Sequence, residues 1–374
     1  MKMKRMIAGL MAVFVMGVGV PYVSTVTENT SVMTASAVDS GTYEYLTYYN
    51  YGDYIEISGC SKSATEVVIP SEIDGLPVTN IGEQAFYECW NLTSVDIADS
   101  VKNIDALAFC YCKSLKTVNI PDSVERIGMD TFGFCSSLKS IKLPDNIKSI
   151  GDYAFYGCSN LASIEIPESL TKIGGYAFYR TLWLEEKMKE NPFVVVNEIL
   201  IDGRACIGDV TIPDDVKNIG YGAFASSSDL KSIVIPESVV SIGESSFGAC
   251  AELDKITFLN PECEIEGDNY TITNNFEHFY GTIYGYENST AQAYAEKYGR
   301  SFVSLGKVPE KDLSAGDMNG DNEVSISDAV LLQDCILGKK ELTEEQLKSA
   351  DLTGDGVVDV FDLVMLRRKV IYGE

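Results

Sequence analysis

The strongest constraint on this chain is a repeat of fixed length. An Ile followed by Gly or Asp recurs at Ile81, Ile104, Ile127, Ile150 and Ile173, each 23 residues after the last. It returns at Ile219, 46 residues beyond Ile173, and again at Ile242. A fixed period of about 20–50 residues marks a solenoid, in which each unit buries its apolar side only against its neighbours. Phase survives the irregular stretch 182–218, so that stretch stands in for one or two units without ending the stack.

The unit from Ile150 to Leu170 shows what each column must do. Leu161, Ile164 and Ile166 alternate with polar residues, which predicts a half-buried strand. Pro167 ends it, having no amide hydrogen for the ladder. Ile150 and Phe155 are expected in the core of the coil. Gly151 suits a turn where a side chain would clash or where φ is positive. Gly82, Gly128, Gly174, Gly220 and Gly243 occupy the same column, and Asp105 departs from it. Cys89, Cys112, Cys135, Cys158 and Cys250 share another column, with Ser227 in their place in one unit. Stacked identical positions read as a buried thiol column, with disulfides or a metal ladder as the alternatives. Cys60, Cys206, Cys263 and Cys335 show no partner in the sequence.

Tyrosines crowd the segment before the repeats, at 43, 45, 48, 49, 51 and 54, and predict a hairpin covering the first coil. An open solenoid end requires such a cap. Tyr153 with Tyr176, and Tyr156 with Tyr179, lie one repeat apart and form a candidate ligand patch, with Tyr221 and Trp183 expected nearby. Aromatic faces stack on sugars or anchor protein partners, and packing between coils is the alternative. Ala291, Ala293, Tyr294 and Ala295 predict a short closing helix.

The repeat pattern resembles the BspA-like (type 5) leucine-rich repeat family over about Ser63 to Leu305. The resemblance implies a mainly β solenoid of 23-residue units serving as a binding scaffold. Its ligand, protein or glycan, does not follow from the fold.

Charge narrows the partners. The 374 residues carry 29 Lys+Arg against 55 Asp+Glu, a net charge of -26. That argues against binding nucleic acid or anionic lipid, both of which attract cations. A single histidine, His278, makes histidine-based zinc sites and Ser/His or Cys/His relays unsuited to this chain. Lys2, Lys4 and Arg5 precede an apolar run from Met6 to Val20, too short to span a bilayer, with Ala35-Ser36-Ala37 beyond it. Residues 1–37 are therefore expected to be a signal peptide and the protein to be secreted.

Residues 314–374 are the most densely acidic segment, with 13 acids and a net charge of -7. Two stretches there place oxygen ligands at alternating positions. The first offers Asp317, Asn319, Asp321, Glu323 through its carbonyl, Ser325 and Asp328. The second begins 34 residues later with Asp351, Thr353, Asp355, Val357 through its carbonyl, Asp359 and Asp362. An all-oxygen set of this spacing suits a hard cation such as calcium. Gly356 meets the need for a sharp turn at the sixth position, and Asn322 tolerates the same left-handed conformation. Helices are expected from Ala329 to Leu337 and from Leu363 to Val370, with a capping box at Thr343-Glu344-Glu345-Gln346 starting a short one between them.

This duplicated loop–helix pattern, over about Ala315 to Tyr372, resembles a type I dockerin. The resemblance implies two calcium ions and a partner, the cohesin module of a scaffoldin in a cellulosome-type assembly. It also implies cohesin contacts at Ile326, Ser327, Gln333 and Asp334 in the first half, and at Val360, Phe361, Arg367 and Arg368 in the second. The halves differ, and the second is favoured, with Phe361 as an apolar anchor; the alternative places Phe361 in the dockerin core.

The expected organisation is a signal peptide (1–37), a cap hairpin and first coil (38–80), the solenoid (81–305, with the irregular insert 182–218), a linker (306–314) and a small α-helical calcium-binding dockerin (315–374). The function expected is a secreted, non-catalytic binding protein docked to a scaffoldin. The rivals are a cellulosomal polysaccharide-degrading enzyme and an adhesin or inhibitor directed at host or competitor proteins. No paired carboxylates stand out for hydrolysis. The only acids grouped away from the regular coils, Glu185, Glu186 and Glu190, read as a solvated helix face.

Overall fold

The isoleucine column is a β-ladder. In the computed structural model, which describes residues 39–275, 278–309 and 313–373, Ile81, Ile104, Ile127, Ile150 and Ile173 sit side by side in parallel register. The expected signal segment lies outside the described residues. Each coil contributes only two residues to this ladder, such as Ser149–Ile150. Sequence alternation pointed to the other face, and that face is present too. Glu66–Ile69, Ser94–Ile97 and Thr117–Asn119 form one parallel sheet there, and Ser140–Lys142 pairs with Ser163–Glu165. The protein is mainly β, a leucine-rich-repeat solenoid followed by a small helical region.

The cap is a three-stranded antiparallel unit, β1 (Asp39–Tyr43), β2 (Leu46–Asn50) and β3 (Ile55–Cys60). β3 then pairs in parallel with the first coil, at Leu76–Ile81. Tyr48 is buried and donates to Asp74 Oδ2 at 2.6 Å, whereas Tyr43, Tyr45, Tyr49 and Tyr51 remain exposed.

Between the strands the core is a stack of rings. Phe86, Phe109, Phe132, Phe155 and Phe178 are fully or almost fully buried, and successive centroids lie 4.7, 5.3, 5.4 and 5.7 Å apart. Trp183 closes this stack, 5.1 Å from Phe178. The sequence had placed Trp183 beside the tyrosine patch; burial of its indole against the phenylalanine column puts it in the core instead. The irregular insert supplies helix α1 (Leu182–Glu190), capped by Thr181, and a hairpin of Val194–Val196 with Ile199–Asp202. A second apolar core and two new five-stranded sheets start there, and Phe224 stacks on Phe247 at 5.1 Å. The predicted closing helix is α2 (Thr290–Tyr298), with Ser289 as N-cap and Gly299 in the left-handed conformation behind it.

The glycine column answers to space rather than to φ. A Cβ on Gly151 would lie 2.6 Å from the Gly128 carbonyl carbon and the Met129 nitrogen of the preceding coil. Gly151→Ala is expected to destabilise the solenoid by about 2 kcal/mol through forced separation of two backbones. An unchanged urea midpoint would show that the coils yield freely at this point. The left-handed residues lie elsewhere in the turn, at Gln84, Leu107, Asp130, Tyr153 and Tyr176, with φ between 51° and 60°. Four of these turns send an amide across to the next coil, as in Leu107 N to Met129 O at 2.8 Å and Tyr153 N to Gly175 O at 2.9 Å. Those bonds offset a backbone conformation that costs a side-chain-bearing residue about 1–2 kcal/mol.

The helical region contains α3 (Ile326–Ile336), α4 (Glu344–Ala350) and α5 (Val360–Tyr372) around a core of Met318, Ala329, Leu332, Ala350, Leu363 and Leu366.

Candidate functional site

The two acidic loops share one framework of amide-to-aspartate bonds. Asp317 Oδ1 accepts from Gly320 N at 2.7 Å and Oδ2 from Asn322 N at 3.0 Å. Thirty-four residues on, Asp351 Oδ1 accepts from Gly354 N at 2.8 Å and Oδ2 from Gly356 N at 2.9 Å. Asp321 and Asp355 each accept the amide two residues ahead at 2.8 Å. Asn322 and Gly356 have φ of 68° and 80°, the left-handed turn expected at the sixth position.

Asp328 and Asp362 close the loops from the far end. Asp328 Oδ1 accepts from Met318 N and Asn319 N at 2.8 and 3.0 Å, and Oδ2 accepts from Ser325 N at 2.9 Å. Asp362 repeats this with Leu352 N, Thr353 N and Asp359 N, at 2.9, 3.0 and 2.9 Å. Both carboxylates are fully buried. Burial pushes their pKa values up, but the surrounding amides outweigh it and hold both carboxyls below the usual aspartate range.

These bonds correct the expected helix boundaries. α3 and α5 begin at Ile326 and Val360, three residues before the predicted starts. Ser325 and Asp359 are their N-caps, and Asp328 and Asp362 complete capping boxes by reaching back to the cap amides. The twelfth-position aspartates are thus helix-capping groups as well as candidate ligands. Ser325 followed by Asp328 at the third residue was the available signal.

Each alternating loop position offers an oxygen, from the side chain or, at Glu323 and Val357, from the backbone carbonyl, which fits a hard cation. Asp321, Asn319 and Glu323 are exposed, as are Thr353, Asp355 and Val357, whereas Asp317 is buried. Among the described residues, no three Asp, Glu, Cys or His side chains gather tightly enough to form a metal cluster. The acids instead accept from their own loop amides, and the remaining oxygens of each set are amide, hydroxyl or carbonyl groups.

The candidate docking residues lie on α3 and α5. Ile326, Ser327, Val360 and Phe361 are exposed in the first turns. Phe361 is 67% exposed, so it is outside the helical core. Val360, Val364 and Met365 extend that apolar surface along α5. Gln333 and Arg367, equivalent by the 34-residue repeat, meet each other: Arg367 Nη2 donates to Gln333 Oε1 at 2.6 Å. Asp334 pairs with Lys339 at 3.4 Å, and Arg368 is exposed.

The tyrosine patch is assembled as the spacing suggested. Tyr153 stacks on Tyr176 at 5.7 Å, Tyr156 lies 5.5 Å from Tyr179, and Tyr221 meets Tyr176 edge-on at 5.7 Å. All but Tyr221 are half-buried. Arg204, ion-paired with the buried Asp202, sits 4.3 Å over the Tyr179 ring, and Arg180 lies 5.6 Å from both Tyr156 and Tyr179. The ring faces are largely spent on one another. On α1, Glu186 pairs with Lys189 and Glu190 with Lys187, each at 2.8 Å, and Glu185 faces solvent.

The thiols form the expected column. Cys112, Cys135, Cys158 and Cys250 donate to Phe86, Phe109, Phe132 and Phe224 carbonyls of the preceding coil at 3.0–3.2 Å. Cys60, which showed no partner in the sequence, directs its thiol at the Ser61 carbonyl at 3.6 Å, and its own carbonyl lies 3.9 Å from the Cys89 sulfur.

Comparison with known proteins agrees with this geometry. Six copies of the BspA type leucine rich repeat region match residues 79–194 and 203–281. The chain belongs to the BspA-type leucine-rich repeat family. A type I dockerin domain matches residues 315–371. Both domain types are non-catalytic; type I dockerins bind calcium, and a dockerin implies a cohesin partner. Together they point to an extracellular protein of the cell surface or a cellulosome. Among the described residues no helix is long and apolar enough to cross a membrane. Similar solved structures include a leucine rich cell surface protein from Faecalibacterium prausnitzii (20% identity, covering 74% of this chain and 96% of that one, TM-score 0.35). Others are a leucine-rich repeat protein from T. pallidum (24%, 72% and 99%, TM-score 0.30) and one from Bacteroides ovatus (22%, 67% and 80%, TM-score 0.26). No curated protein matches the chain.

Proposed function

We propose that this chain is a secreted, non-catalytic binding protein whose dockerin fastens it to a scaffoldin cohesin while the repeats present a ligand-binding surface. The carrying observation is the exposed apolar face of α5 beside a doubly repeated oxygen-donor loop. Residues 1–37 serve as the signal peptide, 38–80 as cap and first coil, 81–305 as the binding array, 306–314 as linker and 315–374 as the docking module. Asp317, Asn319, Asp321, Glu323, Ser325 and Asp328 hold one calcium ion, and Asp351, Thr353, Asp355, Val357, Asp359 and Asp362 a second. The ions supply positive charge that offsets the carboxylates' mutual repulsion and ties each loop to its helix. The chain's own amides already orient Asp317, Asp328, Asp351 and Asp362 for that task.

The second half makes the main cohesin contact. Phe361 is the anchor, flanked by Val360 and by the Arg367 and Arg368 rim, with Ile326, Ser327, Gln333 and Asp334 as the weaker counterpart. At the repeats, Tyr153, Tyr156, Tyr176 and Tyr179 form the candidate ligand patch. Sugar stacking needs free ring faces, and theirs are covered, so ring edges and hydroxyls beside Arg180 favour a protein ligand over a glycan. The pairing of the α1 acids with neighbouring lysines supports the non-catalytic reading.

The test is retention of the full chain on immobilised scaffoldin cohesins in calcium buffer. Phe361→Ala is expected to weaken the captured complex about 30-fold, the effect of losing one exposed aromatic anchor. Retention by none of a broad cohesin panel would end the docking reading. An unchanged affinity on Phe361→Ala would move the contact to α3.

A further inference from the structure

Along the first stack the isoleucine column passes hydrogen bonds from coil to coil. The carbonyls of Ile81, Ile104, Ile127 and Ile150 each accept an amide of the next coil, at 2.8–3.0 Å. The second stack does the same, with Ile219 O accepting from Gly243 N at 2.8 Å and Ile242 O from Glu266 N at 2.9 Å. The chain of bonds breaks at Ile173. Lys148 O accepts from Thr171 N at 3.1 Å, but among the described residues no amide is directed at Thr171 O or Ile173 O. The ladder stops at Lys172–Ile173 because the insert pairs forward, with Ile199 and Leu200 opposite Asn218 and Ile219. The insert holds the last coil at its hairpin tip, where Asn197 Nδ2 donates to Pro167 O at 2.9 Å and Leu170 O at 2.8 Å.

The break opens a cleft of about 510 Å³. Thr171–Gly175 form one bank and Asn218–Tyr221 the other, with Ile199 between them. Tyr221 closes one end, packed so tightly on Gly175 that a Cβ there would lie 2.4 Å from its ring. An unpaired strand edge is a template for another extended chain. Charge along the cleft says which kind of chain. Asp152, Glu244 and Glu266 line it and are exposed, and Lys172 is the cation among the described residues that line it. None of the three acids is ion-paired among the described residues.

We propose that this cleft receives an extended, cationic segment of a protein partner, which adds a short strand to Lys172–Ile173. Thr171 O and Ile173 O accept its amides. Its Lys or Arg side chains face Asp152, Glu244 and Glu266. The surface is separate from the tyrosine patch, although Tyr221 borders both. The proposal rests on the repeats serving as a binding array and on nothing in the dockerin, so cohesin capture can fail while this site still binds.

The experiment titrates the full chain, at physiological salt, with the fluorescein-labelled peptide Lys-Val-Lys-Val-Lys-Val. Saturable binding is expected, with slowed hydrogen exchange in the segment 171–176. Glu244→Gln with Glu266→Gln should weaken binding about fivefold, the effect of losing two exposed charge pairs. Glu66→Gln with Glu165→Gln, which removes two exposed acids from the other strand face, should leave it unchanged. Methylating alternate amide nitrogens of the peptide removes its donors and should weaken binding about tenfold. The proposal is overturned if the peptide does not bind, or if the two double variants bind it equally. It is equally overturned if the methylated peptide binds as well as its parent, since charge alone would then hold it. Protection of 171–176 by cellohexaose and not by the peptide would assign the cleft to a glycan instead.

Discussion

Phe132→Ala is expected to remove about 4 kcal/mol from the stability of the repeat array. Phe132 is fully buried, and its ring lies nearly parallel to both neighbours, at 5.3 Å and 2° from Phe109 and at 5.4 Å and 9° from Phe155. Truncation loses the transfer energy of the ring, leaves a void between coils whose backbones are fixed by inter-coil bonds, and breaks two ring pairs worth about 0.5–1.5 kcal/mol each. Because a solenoid's stability is nearly a sum of nearest-neighbour terms, the damage should be local. Urea unfolding followed by circular dichroism should then separate into two transitions. Among the described residues Phe247 stacks on Phe224 alone, so Phe247→Ala is expected to cost about 1 kcal/mol less than Phe132→Ala. Equal losses at the two sites would mean that burial, not the ring ladder, carries the effect.

The ladder was legible in the sequence for the same reason that it is stable. Every coil offers Phe the same surroundings, so the residue recurs every 23 positions with the Ile and Cys columns beside it. Features without a residue signature stayed hidden. The Ile-Gly strands are two residues long, below the length at which alternation shows. The left-handed column is held by Leu107, Asp130 and Tyr153 rather than by Gly, because inter-coil amide bonds impose the conformation. Cys60 and Trp183 have partners set by the cap and the insert, where periodicity lapses. At the dockerin, alternation of oxygen donors was plain. The capping roles of Ser325 and Asp359 were obscured because those residues already counted as ligands.

Asp328→Ala is expected to abolish cohesin capture even in excess calcium, whereas Asp321→Ala should only raise the calcium needed. The two acids occupy the same loop but carry different burdens. Asp328 is buried and accepts the amides of Met318, Asn319 and Ser325. Alanine leaves all three without an acceptor, at about 1–3 kcal/mol each, and removes one half of the capping box of α3. A domain whose buried apolar core is six side chains has little stability to lose. Asp321 is exposed and holds a single loop amide, at Glu323, besides the Asn319 side-chain amide. Its removal takes one charge from the proposed ion site and leaves the fold standing, so mass action can restore binding. Chelation should resemble Asp321→Ala and reverse on adding calcium; Asp328→Ala should not reverse. Helical circular dichroism of the full chain, read alongside cohesin calorimetry across a calcium series, distinguishes them. If Asp328→Ala is rescued by calcium as fully as Asp321→Ala, the amide cradle is dispensable and the ion alone organises the loop.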